Sequence, residues 1–89
     1  MKIEVLFFGR ARTITGTARK TVTVSAGVKL ADLFRLLDCR YDNKFSGEFL
    51  NLKGLMVMVN GRHYNSIGGL DAPLNDKDTV AIMPAVVGG

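Results

Sequence analysis

The feature that most constrains the fold of this chain is one amphipathic segment with strand-like sequence on both sides of it. Its apolar residues recur at positions i, i+3, i+4 and i+7, the stripe of a helix that packs on a sheet; they are Leu30, Leu33, Phe34 and Leu37. The chain has 89 residues, which is enough for one domain around one core. The sheet under this helix must therefore come from the sequence on either side of it.

The sequence before the helix predicts a β-hairpin. In residues 2–8, Ile3, Val5 and Phe7 alternate onto one face of a strand. Leu6 and Phe8 fall on the opposite face, which predicts a partly exposed apolar patch. Residues 17–24 are rich in β-branched residues and predict the returning strand, with its valines inward. Residues 9–16, bounded by glycines, are expected to form the loop between the two strands.

The sequence after the helix predicts three more strands. Residues 56–59 read as a strand, and Asn60-Gly61 is a strong signal for a tight hairpin that returns at 62–64. A loop at 67–74 and a turn at 75–78 lead to a last strand at 79–83, which Pro84 ends. Residues 41–54 lack a clear period; they suggest a loop with one or two anchoring aromatic residues and a short helical turn.

This order of elements predicts an α+β fold. Right-handed crossovers place the one main helix across one face of a mixed sheet. That arrangement is the ubiquitin-like β-grasp. We expect residues 1–84 to form the β-grasp domain and residues 85–89 to form a flexible C-terminal tail that ends in Gly-Gly.

Composition argues against several classes of protein. The single Cys39 excludes an internal disulfide and a multi-cysteine metal site; because it follows the apolar helix, we expect an inert, partly buried thiol. A net charge of +4 would suit a nucleic-acid binder, but the basic residues are scattered and no stacking aromatics accompany them. No stretch nears the roughly 20 apolar residues of a membrane span, and the start lacks a signal peptide. We therefore expect a cytoplasmic protein.

Three segments of the chain together resemble the MoaD-type, ubiquitin-like sulfur-carrier family, which includes the thiamine-pathway carriers and the archaeal small modifier proteins. They are residues 5–16, residues 59–62 and residues 73–89. Two positions depart from the family pattern. Lys77-Asp78 stands where a Gly-Asp pair is usual, and Pro84-Ala85 where a double proline is usual. Neither change removes the Gly-Gly end.

The resemblance implies a carrier rather than an enzyme. An adenylating enzyme of the ubiquitin-activating type would use ATP to activate the Gly89 carboxylate, and the carrier itself would bind no cofactor. A sulfur nucleophile would then give a thiocarboxylate, whose sulfur goes to molybdopterin through the large subunit of molybdopterin synthase. Alternatively, a lysine of a target protein would attack and form an isopeptide bond. A third possibility is a noncatalytic β-grasp interaction module.

The resemblance also predicts the residues of the site. Gly88 and Gly89 form the reactive end, since residues without Cβ pass most easily through a narrow channel. The predicted partner-binding residues are Phe8, Arg12, His63, Met83 and Val87. Phe8 and Met83 could instead be ordinary core, and His63 a solvated turn residue. One histidine without companions predicts no metal site. Asn60-Gly61 is assigned to turn geometry alone, and Gly68-Gly69 to loop flexibility.

Overall fold

A computed structural model describes residues 1–41 and 55–84 of the chain, apart from the side chains of Arg10, Leu55 and Pro84. The described strands and helices are β1 Lys2–Phe7, α1 Gly9–Thr15, β2 Arg19–Thr23, α2 Leu30–Arg40, β3 Leu55–Val59, β4 Arg62–His63 and β5 Thr79–Pro84. The predicted tail at 85–89 and residues 42–54 of the predicted loop at 41–54 lie outside the described residues. Tyr41, the first aromatic residue of that loop, packs against the core cluster.

The five strands form one mixed sheet in the order β2-β1-β5-β3-β4. β1 and β5 run parallel side by side at its centre. The pairs β1–β2, β3–β5 and β3–β4 are antiparallel. Parallel neighbours need a crossover connection, and α2 lies in the sequence between β1 and β5. The ubiquitin-like β-grasp predicted from the sequence is confirmed.

One face of the sheet carries the hydrophobic core. The stripe of α2 is buried as the helical period predicts, and alternate residues of the strands lie under it. The strand residues in this core are Ile3, Val5, Phe7, Val22, Val57, Val59, Val80 and Ile82. Asp32 lies in the first turn of α2, where its Oδ2 accepts the Lys29 N–H at 3.0 Å. The opposite face of the sheet, called the open face below, is left without a helix among the described elements.

The loop predicted over residues 9–16 is wrong for most of its length, because Gly9–Thr15 form the short helix α1. Ala11 is buried and Ile14 packs against the core cluster, so this helix is held by tertiary contacts. Gly16 ends it in the left-handed conformation at φ 72° and donates its N–H to the Arg12 carbonyl. The two bounding glycines of the sequence thus mark the limits of a helix.

Cys39 is exposed, so the prediction of a partly buried thiol is also wrong. The buried side of α2 continues from Phe34 to Leu37 and Asp38, which places Cys39 on the outer side. The helix ends at Arg40, and Tyr41 donates its N–H to the carbonyls of Leu37 and Asp38. Asp38, and not Cys39, is therefore the residue of this turn that faces the core.

The β3–β4 hairpin turns at Asn60-Gly61 as predicted, with φ values of 52° and 81°. The prediction that Asn60 serves turn geometry alone is incomplete, because its side chain also forms hydrogen bonds. Its side-chain amide donates to Asp78 Oδ1 at 2.9 Å, and its Oδ1 accepts the Thr79 N–H at 2.9 Å. Asp78 Oδ2 in turn accepts the Asn75 N–H at 2.8 Å. The hairpin is thereby fastened to the start of β5.

Residues 64–74 are more ordered than the predicted loop. Two 3-10 helices, Tyr64–Ile67 and Gly69–Asp71, follow β4 directly. The segment is tied to the start of α2, since Leu30 donates its N–H to the Ala72 carbonyl at 3.0 Å and Leu74 donates to Val28 at 3.0 Å. Gly68 and Gly69 adopt φ values of 117° and 67°. Both glycines occupy left-handed backbone positions, which residues with a Cβ rarely adopt. Their role is therefore a defined conformation and not the predicted loop flexibility.

Candidate docking face

The open face of the sheet is divided into a polar half and an apolar half. Near the start of β1 and on β2 its residues are Lys2, Glu4, Arg19, Thr21 and Thr23. Arg19 Nε lies 2.8 Å from Glu4 Oε1, and both side chains remain partly exposed. This half has the composition of an ordinary solvated sheet face.

The other half carries apolar side chains on five neighbouring positions of the ladder. Leu6 pairs with Ala81 across β1 and β5, and Ala81 pairs with Met58 across β5 and β3. One step along, Met83 pairs with Met56. All five side chains are half-buried. Together with Phe8 they form what we call the open-face patch: Leu6, Phe8, Met56, Met58, Ala81 and Met83.

The open-face patch lies at the edge of the sheet where β5 ends at Pro84. β1 and β5 are parallel, so their carboxyl ends meet at one edge. Leu6 and Phe8 come at the end of β1, and Ala81 and Met83 at the end of β5. Residue 85 is bonded directly to Pro84, the last residue of β5. A protein that binds the patch is therefore placed next to Pro84, where the described part of the chain ends.

Two of the predicted partner-binding residues belong to this patch. Phe8 is 46% exposed, so the alternative that it is ordinary core is wrong. It extends the alternation of β1 with an extended backbone at φ −125° and ψ 153°, and it donates its N–H to the Ile82 carbonyl at 2.9 Å. Met83 is half-buried on β5 opposite Met56. The backbone of β5 thus holds both side chains in place.

His63 borders the open-face patch and is half-buried in β4. It pairs with Met58 across the β3–β4 hairpin, so it lies in a strand and not in a solvated turn. Its Nδ1 accepts the Asn65 N–H at 3.2 Å, and its ring lies 5.0 Å from the Tyr64 ring. These contacts hold the imidazole at the side of the patch. They also leave Nε2 as the nitrogen that carries the proton in the neutral ring.

The remaining predicted residues are not brought together by the described structure. Arg12 is exposed on α1, four residues after Phe8. Val87, Gly88 and Gly89 lie outside the described residues, and their assignment stays a prediction.

Sequence reasoning missed Met56, Met58 and Ala81. Residues 56–59 are apolar throughout, so alternation alone gave no reason to separate Val57 and Val59 from their neighbours. The structure buries both valines and leaves the methionines half-exposed on the open face. A preference for β-branched residues in the core would have been the available signal.

Outside the open face the described residues offer few chemical sites. An open cleft of about 490 Å³ beside the hairpin is lined by Val59, Asn60, Arg62, Ile67, Pro73, Asn75 and Asp78. The Asp78 carboxylate in this cleft already accepts hydrogen bonds from the Asn60 side-chain amide and the Asn75 backbone N–H. Within residues 1–41 and 55–84 no three histidine, cysteine or acidic residues are grouped as metal ligands would be. Neither described helix is long and apolar enough to cross a membrane.

The family model for the ThiS family matches residues 5–89, which includes the Gly-Gly end. The chain belongs to the ThiS family. Two relatives support this over their full length. The small archaeal modifier protein 3 of Haloferax volcanii is 28% identical, with complete coverage of both chains. The human molybdopterin synthase sulfur carrier subunit is 23% identical over 99% of this chain and 94% of that protein.

Solved structures agree with this ThiS-family assignment. The solution structure of the Haloferax volcanii HVO 2177 protein has a TM-score of 0.83 and 28% identity, covering 100% of this chain and 87% of that one. A complex of subunits 1 and 2 of the molybdopterin-converting factor from Helicobacter pylori has a TM-score of 0.64 and 26% identity, with complete coverage of both chains. The relatives are thus named as carriers or modifiers, and one similar chain is held in a complex with a partner subunit.

Proposed function

We propose that this ThiS-family protein is a sulfur carrier that is activated at Gly89 by an adenylating enzyme, and that it serves as the small subunit of molybdopterin synthase. The family match over residues 5–89 carries this proposal, because it joins the β-grasp domain to the Gly88-Gly89 end in one pattern. The human sulfur carrier subunit supports the choice of molybdopterin as the destination of the sulfur.

The chemistry explains why a carrier of this kind requires a partner. A carboxylate is a poor acyl donor, because an oxide-like leaving group departs badly. Attack of a Gly89 carboxylate oxygen on ATP, in the active site of the partner, releases pyrophosphate and forms an acyl adenylate. A sulfur nucleophile then attacks the Gly89 carbonyl carbon, and AMP leaves. Gly89 is a reactant throughout, so the carrier supplies neither an acid nor a base.

The open-face patch supports a division of labour between the domain and the tail. The patch would dock on the adenylating enzyme and later on the large synthase subunit, while the adjacent tail enters each active site. Apolar side chains at the centre of an interface contribute most of the binding energy when they are desolvated. Met83 lies on the central strand of the patch, Phe8 and Met58 lie on either side of that strand, and His63 borders Met58. Arg12 would contact the partner from α1.

A second function has its own support. The identity of 28% over the full length of small archaeal modifier protein 3 favours a modifier that is joined to target lysines by isopeptide bonds. Both functions begin with the same adenylate and differ in the nucleophile that follows. Mass spectrometry of the chain after incubation with host extract, ATP and a sulfur donor separates them. Replacement of one oxygen by sulfur at Gly89 identifies the carrier, and the C-terminal peptide of this chain joined through Gly89 to lysines of other proteins identifies the modifier.

Deletion of Gly88 and Gly89 tests the step that both functions share. We expect the truncated chain to keep its fold, since the described core and sheet end at Pro84. We also expect ATP–pyrophosphate exchange by the cognate adenylating enzyme to fall to background. The far-ultraviolet circular dichroism spectrum and the thermal midpoint provide the control for folding.

Exchange at the full rate with the truncated chain would exclude activation at Gly89. In that case the noncatalytic interaction module, which needs no tail, would be the function to pursue.

A further inference from the structure

The methionines of this chain are concentrated on one surface. The sequence has four, and three of them, Met56, Met58 and Met83, belong to the open-face patch. Met56 lies directly opposite Met83 in the ladder, and Met58 is two residues along the same strand. The fully buried apolar residues of the described chain include no methionine. This distribution is unexpected for a residue type that is usually buried in the hydrophobic core.

The open-face positions of β2 and β3 differ in the type of residue that fills them. On β2 the open-face positions are filled by Arg19, Thr21 and Thr23, whose polar groups can remain hydrated. On β3 the corresponding positions are filled by thioethers. Methionine is unbranched and polarisable, so it suits a surface that must fit against another protein. It is also the apolar side chain most readily oxidised.

We propose that Met56, Met58 and Met83 form a peroxide-sensitive modification site. Their oxidation prevents partner binding at the open-face patch, and their reduction restores it. The proposal rests on the proposed function, in that the adenylating enzyme is taken to dock on this patch.

The modification is a two-electron oxidation at sulfur. The thioether sulfur attacks one oxygen of hydrogen peroxide, the O–O bond breaks, and a sulfur–oxygen bond forms. The products are methionine sulfoxide and one water molecule, so sulfur is oxidised and the peroxide is reduced. Methionine sulfoxide reductases reverse the change at the cost of a thiol reductant, with one enzyme for each sulfoxide epimer.

The expected effect follows from the position of the three sulfurs. A sulfoxide oxygen is a strong hydrogen-bond acceptor, and an apolar interface would leave it buried without a donor. We expect each oxidised residue at the contact to weaken docking roughly tenfold. The core lies on the other face of the sheet under α2, so oxidation of the patch should leave the thermal midpoint unchanged. The modified chain is thus folded but poorly recognised.

The test compares each chain with itself before and after treatment. All variants carry Cys39→Ser, because Cys39 is exposed and its thiol would also react with peroxide. The chain and the variant Met56→Leu/Met58→Leu/Met83→Leu are treated with hydrogen peroxide, which catalase then removes. The affinity for the adenylating enzyme and the rate of pyrophosphate exchange are measured, and peptide mass spectrometry locates the sulfoxides. Met1, which packs against the core in both chains, serves as the internal control.

We expect the treated parent chain to lose affinity at least tenfold and to regain it with both reductases, whereas the treated triple variant keeps its own untreated affinity. Full affinity with all three residues oxidised would overturn the proposal. So would an equal loss in the triple variant, which still contains Met1, or a loss that accompanies unfolding. An untreated chain that is never activated would contradict the proposed function instead, so the two failures are distinguishable.

Discussion

At the scale of single residues, Asp76 shows how one exposed carboxylate contributes to the fold. Its Oδ1 accepts the Lys2 N–H at 2.7 Å, which ties the turn before β5 to the start of β1. This hydrogen bond lowers the pKa of the Asp76 carboxyl below its usual value, and the N-terminal ammonium and Lys77 act in the same direction. The charged form is therefore favoured in the folded chain relative to the unfolded one.

The depressed pKa of Asp76 predicts a particular dependence of stability on pH. A carboxyl whose pKa is lower when folded contributes stability that is complete above its unfolded pKa, about 3.9, and is lost as the pH falls through the folded pKa. The variant Asp76→Asn can still accept the Lys2 N–H but does not titrate. We expect the free energies of unfolding of the two chains to converge as the pH is lowered through this range. Urea unfolding at a series of pH values measures this; a difference that does not change with pH would contradict it.

At the scale of elements, the sequence predicts what repeats and misses what is short. The stripe of α2 and the alternation of β1, β2 and β5 are periodic over several residues, so burial on one side leaves a pattern. α1 has only seven residues, and an isolated helix of that length is not stable in water. It is held because it packs on β1 and β5, with Ala11 in the core cluster and Ile14 against it. No local pattern of residues 9–16 carries that information.

The end of α2 shows the same limit on prediction. Past Leu37 the helical period continues the stripe at Asp38, four residues after Phe34, whereas hydrophobicity favours Cys39. The structure buries Asp38, which is 8% exposed, and exposes Cys39. Successive residues of an α-helix are rotated by about 100° around its axis. An error of one residue in the assumed position of the apolar stripe therefore exchanges a buried residue for an exposed one. Local polarity is a weak guide at the last turn of a helix.

The turn at 75–78 offers a test of backbone strain within an element. Lys77 adopts φ 70°, a left-handed conformation that glycine reaches without a clash of Cβ. This is the position where the family pattern usually has glycine. We expect Lys77→Gly to raise the free energy of unfolding by about 0.5 kcal/mol. Relief of backbone strain stabilises the folded chain, and the greater conformational entropy of glycine in the unfolded chain offsets part of that gain.

The variant Lys77→Ala is the matched control for this turn. It removes the same charge but keeps a Cβ in the left-handed conformation, so it should not be stabilised. If both variants gained stability equally, charge and not backbone conformation would be the cause. Chemical denaturation of the three chains under one set of conditions decides the matter.

At the scale of the whole molecule, the open-face patch depends on strand order more than on any one segment. The sequence predicts an apolar patch from Leu6 and Phe8 alone. Met56, Met58 and Met83 join it only because β5 inserts between β1 and β3, which are far apart in the sequence. The same parallel pairing of β1 and β5 places the patch beside the end of β5. The site therefore depends on topology: alternation along β1 indicates Leu6 and Phe8, and the family resemblance adds Met83, while Met56 and Met58 join through the strand order.

Two adjacent phenylalanines separate folding from recognition in this molecule. Phe7 is 1% exposed in the core and Phe8 is 46% exposed on the open face. Phe7→Ala should cost about 3–5 kcal/mol of stability, because it leaves a cavity. Phe8→Asp should cost less than about 1 kcal/mol but should weaken binding to the adenylating enzyme at least about tenfold, since the charge would be buried at the interface.

Thermal unfolding and a binding titration of both variants test this separation. If Phe8→Asp destabilised the chain as much as Phe7→Ala, Phe8 would act in the core. If it left affinity unchanged at full stability, the adenylating enzyme would recognise another surface. The expected pair of results, one variant unstable and the other stable but unrecognised, follows from the alternation of a β-strand, which turns neighbouring residues to opposite faces of the sheet. A single strand then serves the core with one face and the partner with the other.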